Sequence, residues 1–107
     1  MATSKIKGMQ YYEDGNAVTC SHTFNASVCR DGRMYIANLT ITTTSDVGSF
    51  TSLCRLKNVS MRNSQYVAGM VGNSVKLFYI SAYGDIQPVG GIASGADIKV
   101  CIPLVLN

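Results

Sequence analysis

A chain of 107 residues has room for one domain around one core, and only 14% of its residues are charged, well below the ~25% usual in soluble domains. The net charge of +3 comes from basic residues scattered from Lys5 to Lys99 with no run among them, which excludes a phosphate-tracking surface and points to no nucleic-acid partner. No C-x-x-C pair, signal-peptide core or membrane-length apolar run occurs, so zinc binding and membrane insertion are not expected, and synthesis in a cytoplasm is.

The residue inventory predicts strands. Glu occurs once, at Glu13, while Ser and Thr occupy nineteen positions and Val and Ile are plentiful. β-Branched side chains lose rotamer freedom in a helix and pack well on a pleated face. Tyr11 and Tyr12 could stack on RNA bases, but acidic Glu13 and Asp14 follow them where a basic patch would be required.

In chain order, residues 1–9 read as a polar lead-in and 10–107 as a single domain. Asp31-Gly32 is a two-residue turn signal, and a hairpin closed there sets Arg30 opposite Arg33, Val28 opposite Tyr35, Phe24 opposite Leu39 and His22 opposite Ile41. Val18, Cys20, Phe24, Ala26 and Val28 then share an apolar face with Tyr35, Ala37, Leu39 and Ile41. Thr19, Ser21, Thr23, Asn25, Ser27, Asn38, Thr40 and Thr42 form the polar one. A break near Asn25 would divide the long first arm.

Phe50 to Leu56 reads as a short strand, followed by a polar crossing segment from Lys57 to Ser64. Tyr66 to Val71 stops at Gly72-Asn73, and the apolar run Ser74 to Ser81 exposes Lys76. Asp85 to Val89 contains Pro88, and the closing strand Asp97 to Leu106 contains Pro103; both prolines suit a strand end, an edge or a bulge. The expected architecture is all-β: an antiparallel, jelly-roll-like β-sandwich of seven to eight strands.

Chemistry-bearing residues are sparse. His22 is the one histidine, and the hairpin register puts it on the apolar face, the place of a hydrogen-bonded core or interface imidazole. Cys20 and His22 share a strand face without an orienting third group, so no catalytic residue is assigned. The four cysteines, Cys20, Cys29, Cys54 and Cys101, sit in apolar or alternating stretches and read as reduced thiols. Carboxylates fall in turns or at strand starts, and no metal-ligand or cofactor motif occurs. Tyr79 and Tyr83, flanking a turn, are the candidate exposed contact pair, with Tyr35 in the core.

The runs Leu56 to Arg62, Val75 to Ile80, Gly84-Asp85-Ile86 and Gly91 to Ile98, with Cys29 to Ile36 as a first hairpin, resemble the C-terminal β-sandwich domains of phage tail-fibre and baseplate receptor-binding proteins. The resemblance covers the chain from about Asn16 onward. Leu56-Lys57 and Arg62-Asn63 lack the prolines that group often carries in its crossing segment. The resemblance implies a homotrimer in the virion tail, made in a host bacterial cytoplasm and binding a host cell-surface glycan or protein; the contact residues expected in this sequence are Tyr79, Tyr83, Asp85, Arg62 and Asn63. The alternatives are a purely structural module that trimerises and caps a fibre, and a small hydrolase acting on envelope polysaccharide.

Overall fold

The computed structural model describes residues 10–12, as backbone, and 17–107; the lead-in 1–9 and the acidic pair Glu13 and Asp14 lie outside the described residues. Among the described residues nine strands are formed and no α-helix: β1 (Gln10–Tyr12), β2 (Val18–Cys20), β3 (Thr23–Asp31), β4 (Met34–Thr42), β5 (Cys54–Leu56), β6 (Gln65–Val71), β7 (Ser74–Ile80), β8 (Asp85–Pro88) and β9 (Asp97–Val105). The all-β class is as expected. Hydrogen bonding joins all nine strands in the order β1-β3-β4-β9-β6-β7-β8-β5-β2, one continuous antiparallel sheet with no division into two. Its inward side chains nevertheless make a single cluster, so the sheet curls around its own core.

The curl is concentrated at one junction. β6 pairs with β9 only at Met70–Lys99 and Val71–Ile98 before the strands diverge. Gly69, beside this junction, is buried, and a Cβ there would come 2.8 Å from the Phe78 ring and 3.0 Å from Val100. The missing side chain lets the two strands and the Phe78 ring approach closely. Past the divergence the β6-facing side of β9 is unpaired by backbone, and there Pro103 is accommodated without loss of a ladder bond. Gln65 Nε2 donates to the Pro103 carbonyl across the gap at 2.8 Å.

Period-two alternation fills the interior. Tyr35, Leu39 and Ile41 of β4, Ile98, Ile102 and Leu104 of β9, Phe78 and Ile80 of β7, Ile86 of β8 and Leu56 of β5 are all buried. Each large aliphatic or Phe side chain so buried contributes about 1.5–3 kcal/mol relative to exposure.

The first hairpin has the expected faces but a different register. Its closing pair is Asp31–Met34, Arg30 stands opposite Tyr35, Val28 opposite Ala37 and Phe24 opposite Ile41. The turn is therefore centred on Gly32-Arg33, one residue later than Asp31-Gly32. Gly32 takes a φ of 58° at the first central position, as a type II′ turn requires, and Gly72 does the same with a φ of 59° in the β6–β7 hairpin. Moving the turn by one residue shifts every partner by two, which preserves which side each residue faces. The break in the first arm falls at Ser21-His22 instead of Asn25, and β2 leaves to pair with β5.

That departure sets Cys20 directly opposite Cys54, with Cα atoms 4.4 Å apart, and a disulfide joins them. The expectation of four reduced thiols is corrected: Cys29 and Cys101 are the free cysteines, Cys29 half-buried and Cys101 exposed. The strand expected over Phe50–Leu56 is shorter, Cys54–Leu56, because Phe50 adopts a φ of 55° that no strand allows. Lys76 is also corrected. It shares the inward side of β7 with Phe78 and Ile80, half-buried, and its Nζ reaches the Val89 carbonyl at 3.4 Å.

Candidate functional site

Lys76 facing inward means that its neighbours face out. On the solvent side of the β6–β7 hairpin the cross-strand rows are Tyr66–Tyr79, Ala68–Leu77 and Met70–Val75. None of these six carries a charge at neutral pH, and Val75 is 72%, Tyr66 56% and Leu77 44% exposed. The outer side of β3, β4 and β9 is mixed, with Asn25, Thr40 and Lys99 in one row and Ser27, Asn38 and Cys101 in the next, then Cys29, Ile36 and Pro103 and the exposed pair Met34–Val105 toward the β3–β4 turn. The middle rows of β3, β4 and β9 therefore present polar side chains to water, whereas all three rows of the β6–β7 hairpin are uncharged and largely apolar.

Three rings concentrate at one end of the apolar face. Tyr79 meets Tyr66 edge to face with centroids 5.3 Å apart, and Phe50 meets Tyr79 at 6.1 Å. Phe50 arrives from the loop before β5, half exposed, with its backbone N–H donating to the Pro88 carbonyl at 2.8 Å. A bulky side chain at positive φ costs about 1 kcal/mol or more and is seen where surrounding contacts hold it. Isolated exposed apolar residues are ordinary, but a contiguous apolar face is the usual mark of an interaction surface.

The five expected contact residues are distributed over three places. Tyr79 belongs to the ring cluster, half-buried, and its ring partners are Phe50 and Tyr66, not Tyr83. Tyr83 stands exposed in the turn after β7, where the Ser81 hydroxyl accepts the N–H groups of Tyr83 and Asp85. Asp85 opens β8 and its carboxylate accepts a hydrogen bond from Ser52 at 3.3 Å, tying the segment before β5 to the start of β8. Arg62 and Asn63 line a cleft of about 430 Å³ whose lining includes neither Tyr79, Tyr83 nor Asp85. Phe50, Tyr66, Met70, Val75 and Leu77 were not singled out from the sequence. The available signal was that β6 and β7 carry large apolar side chains on both alternating sets of positions, so some of them had to face water.

Two features bear on chemistry. Cys20 is bonded to Cys54, so its sulfur is not a nucleophilic thiolate, and the Cys20–His22 pairing has no reactive member on the cysteine side. His22 is buried as expected, and its Nδ1 accepts the Thr44 backbone N–H at 3.0 Å. Among the described residues no group of three or more His, Cys, Asp or Glu side chains is arranged to hold a metal ion, and no helix is long and apolar enough to cross a membrane. The fold and its surface thus define a curled all-β domain with one apolar outer face. Compared with known proteins, the chain matches no family model and no curated sequence.

Proposed function

We propose that this chain is a self-assembling β domain of the virion-tip kind its sequence resembles, a homotrimer that carries binding of a host-surface glycan or protein. The observation that supports assembly is the uncharged outer face of β6 and β7, flanked by Lys99 beside Met70 and Gln87 beside Tyr79, on a chain of low overall charge. Copies of the chain are its occupant in this reading, since burying Val75, Leu77, Met70 and Tyr66 removes apolar area from water at roughly 25 cal/mol per Å². Binding by several weak sites on one assembly gains by avidity, as a surface-adhering tip requires.

Multi-angle light scattering on the purified chain tests this reading. A trimer that dissociates on a Val75→Lys, Leu77→Glu double substitution supports it, and a monomer at all concentrations overturns it. Adsorption of the assembled protein to bacterial envelopes then separates an adhesive tip from a purely structural cap, which would assemble equally well and adsorb nothing.

A further inference from the structure

A second feature lies apart from the apolar face, where the β3–β4 turn, the 57–64 segment and the last residues of β9 converge. The cleft there is about 430 Å³, within the range of small-molecule sites. Arg33 is pinned at its rim from two directions: its carbonyl accepts the Leu106 N–H at 2.7 Å and its Nε donates to the Leu106 carbonyl at 2.9 Å. The first bond holds the Arg33 backbone, the second holds its guanidinium through Nε, and the terminal Nη groups are left as donors. Arg62 enters the same cleft from the crossing segment. Among the described residues neither guanidinium forms an ion pair.

The lining contains no Asp or Glu side chain. Arg33 and Arg62 are its charged side chains, so the side-chain lining of the cleft is net positive. Gln65 spends its amide N–H on the Pro103 carbonyl and keeps its own carbonyl oxygen as an acceptor, and Asn63 stands beside it with both amide functions available. Guanidinium forks match carboxylate and phosphoryl oxygens, while side-chain amides suit hydroxyl groups.

We propose that this cleft binds an anionic group, a carboxylate or a phosphoryl, on a polyhydroxylated ligand, with Arg33 and Arg62 on the anion and Asn63 and Gln65 on neighbouring hydroxyls. Only the source of that ligand, a host-surface glycan, rests on the function proposed above; the site itself stands on the geometry of the cleft.

The test is an NMR titration of the ¹⁵N-labelled 107-residue protein with inorganic phosphate, with glucuronate and with glucose. Saturable shifts confined to Arg33 and residues 62–65, produced by the anions and not by glucose, are expected. Phosphate binding more tightly identifies a phosphoryl ligand, and glucuronate a uronate. Arg62→Gln, which breaks no internal hydrogen bond, weakens anion binding about tenfold or more, the loss that follows from one charge-assisted contact. Arg55→Gln, on β5 outside the cleft, leaves it unchanged. Equal shifts at Arg55, Lys99 and the cleft arginines, or an unaltered Arg62→Gln variant, overturn the proposal. Either result is independent of the oligomeric state found by light scattering.

Discussion

Tyr66 on β6 and Tyr79 on β7 are direct cross-strand partners on the solvent side of their hairpin, and their rings meet edge to face at 5.3 Å. Behind the same hairpin, Val67 and Phe78 are partners on the core side. Both sides of these two strands therefore carry large apolar side chains, and only one is covered by the chain's own core. The Tyr66–Tyr79 pair, with Phe50 added, marks where the uncovered side carries its largest rings.

Tyr66→Ala separates the fold from the assembly. Within the protomer it removes one exposed ring pair, a loss of about 0.5–1.5 kcal/mol. At an interface the same ring would be desolvated, and truncation of such a residue commonly costs 2 kcal/mol or more. The expected outcome is a small drop in protomer stability by urea unfolding. The self-association constant, measured by sedimentation equilibrium, falls by tenfold or more.

The Cys20–Cys54 disulfide closes a loop with a sequence separation of 34. Restricting the unfolded chain over a loop of that length stabilises the native state by about 3–4 kcal/mol in the chain-entropy picture. Thiol titration in denaturant should find two thiols, Cys29 and Cys101, and four after reduction. The Cys20→Ala, Cys54→Ala double variant should unfold at correspondingly lower denaturant. Four thiols in the unreduced protein would contradict the pairing.

Gly69→Ala tests the junction between β6 and β9. The new methyl would meet the Phe78 ring at 2.8 Å, Val100 at 3.0 Å and the Lys99 carbonyl at 3.1 Å, so backbone and core must both shift. Overpacking of this kind costs about 1–3 kcal/mol. Thermal unfolding should show it, whereas Ala68→Gly next door, on the exposed side, should lower stability only through strand propensity.

His22 accepts the Thr44 N–H on Nδ1, so the neutral ring carries its proton on Nε2. Long-range ¹H–¹⁵N correlation spectra should report that tautomer. His22→Ala leaves the Thr44 N–H without its acceptor and should cost about 1 kcal/mol, with anion binding in the cleft unaffected.

Much of the all-β layout was legible because alternation of apolar and polar residues is a local property of the chain. Phe24, Ala26, Val28, Tyr35, Leu39 and Ile41 face inward as the pattern requires. The turn centre was misplaced by one residue because Asp-Gly and Gly-Arg both supply a glycine, and only strand pairing decides whether Gly32 stands first or second in the turn. Of the expected contact residues, Arg62 and Asn63 fall in a cleft, and Tyr79 in the ring cluster, by routes the sequence did not contain.

By itself, then, the sequence determined the strand class, the buried position of His22 and the polar and apolar sides of the first hairpin, since each depends on residues a few positions apart. Tertiary structure alone decided three things that depend on partners far along the chain. Pairing of β2 with β5 brought Cys20 to Cys54, and the inward turn of Lys76 left Val75 and Leu77 facing water. Convergence of the β3–β4 turn with the end of β9 placed Arg33 in the same cleft as Arg62. In Ser74–Ile80 one alternation is Val75, Leu77 and Tyr79 and the other is Ser74, Lys76, Phe78 and Ile80, so large apolar side chains fall on both and period two cannot say which side is the core until another strand is packed against it.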